Sequence, residues 1–178
     1  VIYNGEVKGI DDVPASSSGW LEGQGIFETI KSVGNKPFSL SRHIARAQSS
    51  ALALGITIPN SDQISQGVTE LFAAVPHGLG MLRISFDNQG NWLAVHMPYA
   101  EQEKSCDVRK HPDAVAGDVH KRFPYTNRLA ILEQARLAGF DDAVVVNGQG
   151  NICEGSVTNL IANIDGRWVT PPTTDVVL

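Results

Sequence analysis

Apolar and polar residues alternate over 26–33 (IFETIKSV), the period of a half-buried β-strand. Gly34-Asn35-Lys36-Pro37 then reads as a turn, and Phe38-Ser39-Leu40 briefly resumes the apolar pattern. From there the period changes. Ile44, Ala47, Ala51 and Leu54 fall on one helical face, with Ser39 or Ser41 as the candidate cap and Gly55 as the stop. A second helix is predicted from Ser61 to Val75, with Ile64, Val68, Leu71, Phe72 and Val75 as its core stripe. Residues 80–86 and 91–97 read as a hairpin around Asp87-Asn88-Gln89-Gly90. The polar stretch 99–118, with Pro98 and Pro112 in or beside it, reads as a connector between two lobes, so we expect lobes at 1–105 and 106–178. Residues 127–139 form the clearest helix, closed by Gly139. Short strands AVVVN, NICEG, TNLIANI and RWVT follow, punctuated by Gly148-Gln149-Gly150 and Asp165-Gly166. Helices mixed with antiparallel hairpins predict an α+β fold.

Composition narrows the classes. The 178 residues can bury a real core, and 42% apolar with 19% charged residues excludes a disordered chain. A formal net charge of −5 leaves no basic stripe to neutralise phosphates, so no nucleic-acid partner is expected. No apolar run approaches a membrane span, and Val1-Ile2-Tyr3-Asn4-Gly5 lacks the parts of a signal peptide. Cys106 and Cys153 are far apart and in no metal-like spacing, as expected of reduced thiols in a cytoplasmic protein. The five histidines form no zinc motif, so no metal site is expected.

Four groups can carry chemistry. Gly23-Gln24-Gly25-Ile26-Phe27-Glu28-Thr29 has a G-x-G pair, but it precedes a strand, so the dinucleotide fingerprint fails and a tight turn is the simpler reading. Arg46 sits on the first helix, where its planar fork suits a phosphate or a solvated surface alike. Lys121, in His120-Lys121-Arg122-Phe123-Pro124-Tyr125, has basic neighbours of the kind that favour a deprotonated amine, or that merely mark a basic turn. Glu154 opens Glu154-Gly155-Ser156-Val157-Thr158-Asn159-Leu160 between two apolar runs, where a carboxylate must be paired if it is buried.

In order and spacing these groups resemble the class IV aminotransferase family, the fold-type IV enzymes that use pyridoxal 5'-phosphate (PLP). The segments that carry the resemblance are GQGIFET at 23–29, His43 with Arg46, Lys121 with Tyr125 and the helix behind them, EGSVTNL at 154–160, and Val169-Thr170-Pro171-Pro172. Together they cover essentially the whole chain. The resemblance implies a two-lobed α+β fold with the cofactor in the cleft between lobes, a small-molecule amino substrate and a homodimer. It also implies that Lys121 holds PLP covalently, Arg46 binds its phosphate, and Glu154 bonds the pyridine nitrogen. Tyr125 would lie beside the Lys121–cofactor bond, with Ser156 and Thr158 in the loop near the cofactor. The family's spacing from lysine to helix places the lysine at 121; a shifted register would put Pro124 there.

Departures from the family's subgroups point further. The hairpin Arg83 to Gly90 lacks the Thr-Arg-Gly segment and nearby His with which D-amino-acid aminotransferases trap a carboxylate. Phe27-Glu28-Thr29 stands where branched-chain aminotransferases usually have Phe-Glu-Gly, and their Gly-rich approach after the lysine is missing. What remains resembles the 4-amino-4-deoxychorismate lyase branch, which releases pyruvate and 4-aminobenzoate for folate synthesis. An aminotransferase for D-amino or branched-chain amino acids, or a catalytically silent relative with a binding role, are the alternatives. The family continues past the Thr-Pro turn into further phosphate-binding residues, and the apolar Val176-Val177-Leu178 leads us to expect such a continuation here.

Overall fold

A computed structural model describes residues 1–16, 19–101 and 103–173; the apolar run Val176-Val177-Leu178 lies outside them. The chain divides into two compact units. The first comprises Val1–Glu101 and Lys121–Pro124, the second the described residues of Gln102–His120 and Tyr125–Leu178.

In chain order the first unit has β1 (Ile2–Tyr3), β2 (Glu6–Val7), β3 (Gly25–Val33), β4 (Lys36–Pro37), α1 (Leu40–Leu54), α2 (Ser61–Ala74), β5 (Leu79–Asp87) and β6 (Trp92–Pro98). The second unit opens with β7 (Val108–Ala114), after which β8 (Arg122–Phe123) returns to the first unit's sheet. That sheet runs β2-β1-β6-β5-β3-β4, with β8 also on β3. β3 and β5 pair antiparallel over their whole length, from Gly25 opposite Asp87 to Val33 opposite Leu79.

The alternation read from the sequence decides which face is covered. Ile26 and Ile30 of β3, Leu82, Ile84 and Phe86 of β5, and Trp92 and Ala94 of β6 share one buried cluster with Ile44, Ala47 and Ala51 of α1 and Ile64, Val68, Leu71 and Phe72 of α2. Glu28 and Ser32, at the same parity, point into this helix-covered face. The predicted helical stripes are therefore the observed core. Phe27 and Thr29 point to the opposite face, which Trp20 covers in part, edge-on to Phe27 at a centroid distance of 4.6 Å.

Helix ends follow their local chemistry, with one correction. Asn60 and Gln63 form a reciprocal capping box on α2, and Gly55 closes α1 in the left-handed conformation, its N–H donating to Ala51 and Leu52. Ser39 holds the cap position of α1 but caps nothing through its side chain; it is left-handed itself, at φ 53°.

The second unit continues with α3 (Thr126–Leu137), β9 (Asp142–Val146), β10 (Ile152–Gly155), β11 (Ala162–Ile164) and β12 (Arg167–Val169). β9 lies between antiparallel β10 and parallel β7. Ile131 and Ala135 of α3 pack on Ala143, Val145 and Cys153. The stretch expected to be a bare connector thus contains a strand. β7 escaped detection because it is polar, mostly exposed and interrupted by Pro112, where its register on β9 shifts. Of the expected strand TNLIANI only Ala162–Ile164 is extended into a ladder.

Inside the first core, His96 of β6 is buried, with Nδ1 bonded to the Val75 carbonyl at 2.7 Å and Nε2 to Ser32 Oγ at 2.7 Å. The carbonyl can only accept, so Nδ1 carries the proton and Nε2 accepts from the hydroxyl. Burial lowers the His96 pKa; the Val75 bond opposes this and His77 reinforces it. A depressed histidine contributes stability that is present above its ordinary value of 6.5 and is lost as pH falls through the folded value. Urea midpoints measured from pH 8 to pH 5 should therefore drop below that value, and His96→Gln should remove this part of the slope while lowering stability at pH 8.

Candidate active site

β3 serves two clusters through its two faces. On the helix-covered face Glu28 is 3% exposed, and a carboxylate there must be paired. Arg46 of α1 clasps it with Nε on Oε1 at 2.8 Å and Nη2 on Oε2 at 2.5 Å. His43, one turn earlier, places Nδ1 2.7 Å from Oε2. The H-x-x-R spacing is what lets one helix face deliver both groups to one carboxylate. Burial raises the Glu28 pKa, but the bonds from His43 and Arg46 and their charges outweigh it and hold the group below its ordinary value.

On the opposite face stands Lys121. Its carbonyl accepts from Phe27 N–H at 2.9 Å, extending the pairing of β8, which sets Phe123 opposite Gly25 and Arg122 opposite Ile26. The half-buried ammonium lies over the Phe27 ring, 5.0 Å from its centroid. The close approach of β8 and β5 explains one glycine of the G-x-G pair: a Cβ on Gly25 would come within 2.0 Å of the Phe86 carbonyl and 2.7 Å of the Phe123 ring. Gly23 supplies the turn, at φ 89°. Arg83, cross-strand from Thr29, lies over the Trp20 ring at 4.1 Å.

The second unit holds the remaining predicted residues. A bulge in β10 between Ile152 and Glu154 buries Cys153 and Glu154 in succession. Arg128 of α3 donates Nη2 to Glu154 Oε1 at 2.5 Å; the two side chains are 10% and 6% exposed. Arg128 Nη1 is buried with no hydrogen-bond partner among the described residues. Ser156 and Thr158 converge on Asp142: both hydroxyls donate to its carboxylate, that of Thr158 at 2.9 Å, and the Ser156 N–H does so at 3.2 Å. Tyr125 is half-buried at the start of α3, its carbonyl accepting from Leu129. Among the described residues no group of three metal-ligating side chains forms, and no helix is long and apolar enough to cross a membrane.

The sequence reading missed Arg128 and Asp142. Arg128 left a trace, since it falls in register with Ile131 and Ala135 on the buried stripe of α3. Asp142 left none, because nothing local ties it to a loop fourteen residues later.

The α+β architecture matches that of solved fold-type IV aminotransferase structures. The branched-chain amino acid aminotransferase of Escherichia coli superposes with a TM-score of 0.84 at 19% identity, covering 99% of this chain and 68% of that one. A structure from Legionella pneumophila described as a 4-amino-4-deoxychorismate lyase gives 0.75 at 22% identity, covering 86% and 64%. The family model of amino-transferase class IV matches residues 25–178, and the chain belongs to that family. Among curated proteins, one of Methanocaldococcus jannaschii assigned as a branched-chain-amino-acid aminotransferase is 29% identical over 175 residues, covering 86% of this chain and 61% of its own. One of Schizosaccharomyces pombe assigned as an aminodeoxychorismate lyase is 24% identical over 159 residues, covering 85% and 68%. The chain thus spans about three fifths to two thirds of the length of the relatives it matches. The family's members are PLP-dependent aminotransferases and lyases.

Two expectations follow from the paired carboxylates. Stability tied to Glu28 is present above the ordinary glutamate value and is lost as pH falls through the depressed folded value. Acid unfolding of Glu28→Gln, followed by circular dichroism, should accordingly show a shallower loss below pH 4.5 than the parent protein. Arg128→Met would leave Glu154 buried beside an apolar chain and should cost about 3–5 kcal/mol in urea unfolding, with much of the loss restored in the double variant with Glu154→Gln.

Proposed function

We propose that this chain binds PLP as a class IV enzyme acting on a small amine, and that its reaction is that of a 4-amino-4-deoxychorismate lyase. The observation that carries the cofactor assignment is Lys121: β-pairing through its own carbonyl fixes its backbone on β3, and its amine stands on the ring of Phe27. A nucleophilic lysine needs this kind of rigid, partly desolvated setting. Glu154 adds the second requirement, a buried carboxylate that Arg128 keeps paired.

The donor set fits the cofactor. PLP, when bound, supplies an electron sink for the carbon that bears the substrate amine. Lys121 would hold it covalently and, once displaced by the substrate amine, would move the proton at that carbon as base and then acid. Glu154 would hold a proton on the ring nitrogen, and Arg46 would contribute to the phosphate. Tyr125 would lie beside the Lys121 bond. Ser156 and Thr158, both donating to Asp142, would shape the loop after Glu154 rather than offer their hydroxyl protons to the cofactor. Homodimerisation and a cytoplasmic setting belong to the same proposal.

The lyase reading is supported by the turn of the β5–β6 hairpin. Asp87 accepts there from Gln89 N–H, Asn91 N–H and the Asn91 amide, a self-contained turn in the hairpin whose sequence lacks the segment that the resemblance leads one to expect of D-amino-acid enzymes. The branched-chain aminotransferase reading draws on the Methanocaldococcus relative at 29% identity. Borohydride reduction in the presence of PLP, followed by peptide mass mapping, should give a pyridoxyl adduct on Lys121 that Lys121→Ala abolishes. Given aminodeoxychorismate alone, the protein should release pyruvate without a 2-oxo acid acceptor. An absolute need for the acceptor would decide for the aminotransferase.

A further inference from the structure

In the second unit the backbone pairing of β10 with β9 stops one residue after Glu154. Its register runs from Ile152 opposite Val146 to Gly155 opposite Val144 and goes no further. Two residues beyond Val144 on the same strand stands Asp142, and its side chain takes over where the ladder ends. Oδ1 accepts the Ser156 N–H at 3.2 Å together with the Ser156 hydroxyl, and Oδ2 accepts the Thr158 hydroxyl at 2.9 Å. Oδ1 also accepts the Ala143 N–H at 2.7 Å, which ties the carboxylate to its own strand. No cation is ion-paired with Asp142 among the described residues, so donors of the loop and of its own strand are what it meets.

This clasp reaches Glu154 through the backbone. The peptide that leaves Glu154 donates its N–H, that of Gly155, to the Thr158 carbonyl at 2.7 Å. Thr158 is in turn held by Asp142. Gly155 is required by the same packing: a Cβ there would come within 2.0 Å of Thr158 Oγ1 and 2.9 Å of Asp142 Oδ2. Glu154 therefore stands between two constraints, the bulge of β10 before it and the Asp142 clasp after it. Alignment matters for its proposed task. A carboxylate bonds a partner N–H well only along a near-linear path, and holding a side chain to within roughly 0.5 Å and 10–20° takes a supporting layer of bonds.

We infer that Asp142 is a positioning residue: by pinning Ser156 and Thr158 it fixes the backbone that leaves Glu154, and so sets the direction in which the Glu154 carboxylate meets its ligand. The inference rests on the proposed function for what that ligand is, the ring nitrogen of PLP. The coupling from Asp142 to Glu154 rests on the geometry of the second unit alone.

Two measurements on the whole chain test it. Without cofactor, amide hydrogen exchange read by peptide mass spectrometry reports on the loop. Asp142→Ala removes three loop bonds to a carboxylate and should speed exchange over residues 154–158 roughly tenfold or more, while peptides of α3 keep their protection. Asp142→Asn keeps an oxygen for Ser156 and should restore most of the protection. With PLP bound, the pH midpoint of the cofactor's absorption change reports on the ring nitrogen. Asp142→Ala should move that midpoint in the same direction as Glu154→Gln, and the double variant should move it no further than Glu154→Gln does. A merely structural role would lower stability and leave the midpoint in place. Where Asp142→Ala fails to fold, Thr158→Val removes one of the three bonds and should give a smaller shift of the same sign. A midpoint unmoved by Asp142→Ala, or a shift that adds in full to that of Glu154→Gln, overturns the inference and leaves the proposed function standing. An adduct on Lys121 with no shift in Glu154→Gln overturns the inference together with the role of Glu154. If the parent forms no adduct on Lys121, the proposed function falls and exchange alone decides. Faster exchange that reaches Glu154 in Asp142→Ala then upholds the positioning, and exchange unchanged or confined to 156–158 overturns it.

Discussion

A carboxylate at a position that strand alternation assigns to the core must find cations, and the arrangement of the first unit depends on how Glu28 finds them. Its neighbours in parity, Ile26 and Ile30, pack under α1 and α2. Glu28 can share that face only because α1 brings His43 and Arg46 down onto it. The three-centre cluster therefore fixes both the rotation of α1 about its axis and its position along β3, more narrowly than packing of Ile44, Ala47 and Ala51 would alone. Apolar faces tolerate small slips, whereas a two-pronged arginine–carboxylate pair has one geometry. Once α1 is so placed, its first turns line a cavity together with Lys31 and Val33 at the end of β3.

The opposite parity of the same strand does separate work. Phe27 carries Trp20 on its edge and Lys121 on its face, and the backbone of β8 holds the lysine to the strand. One strand thus presents Arg46 through one face and Lys121 through the other, which explains why their motifs lie so far apart in the chain. Sheet order also explains why Lys121–Pro124 group with the first unit although their neighbours on both sides belong to the second.

What was legible in the sequence had a period or a local chemical signature. The stripes of α1 and α2, the turn glycines and the alternation of β3 could be read because each rests on neighbours within a few residues. The candidate residues were readable as types in a family-like order, but their partners were not. Glu28 reads as one polar position in an alternating strand until α1 is folded against it, and Asp142 reads as a surface acid until the loop of Ser156 and Thr158 folds back onto it. β7 was hidden for another reason. A mostly exposed edge strand shows little apolar alternation, and its parallel pairing with β9 joins segments more than thirty residues apart.

The two carboxylate–arginine pairs are alike in composition and unlike in completeness. Glu28 draws Nε and Nη2 of one arginine and a histidine besides, and no side-chain nitrogen of that cluster is buried without a partner. Arg128 meets Glu154 through Nη2, while its Nη1 is buried with no acceptor among the described residues. An unsatisfied buried donor costs about 1–3 kcal/mol, and a chain selected for stability alone could remove that cost with apolar residues of similar volume in place of both Arg128 and Glu154. The arginine keeps the buried Glu154 carboxylate paired within the second unit. The complete pair then acts as a frame for α1, and the incomplete one is the pair whose geometry a bound acceptor can still improve.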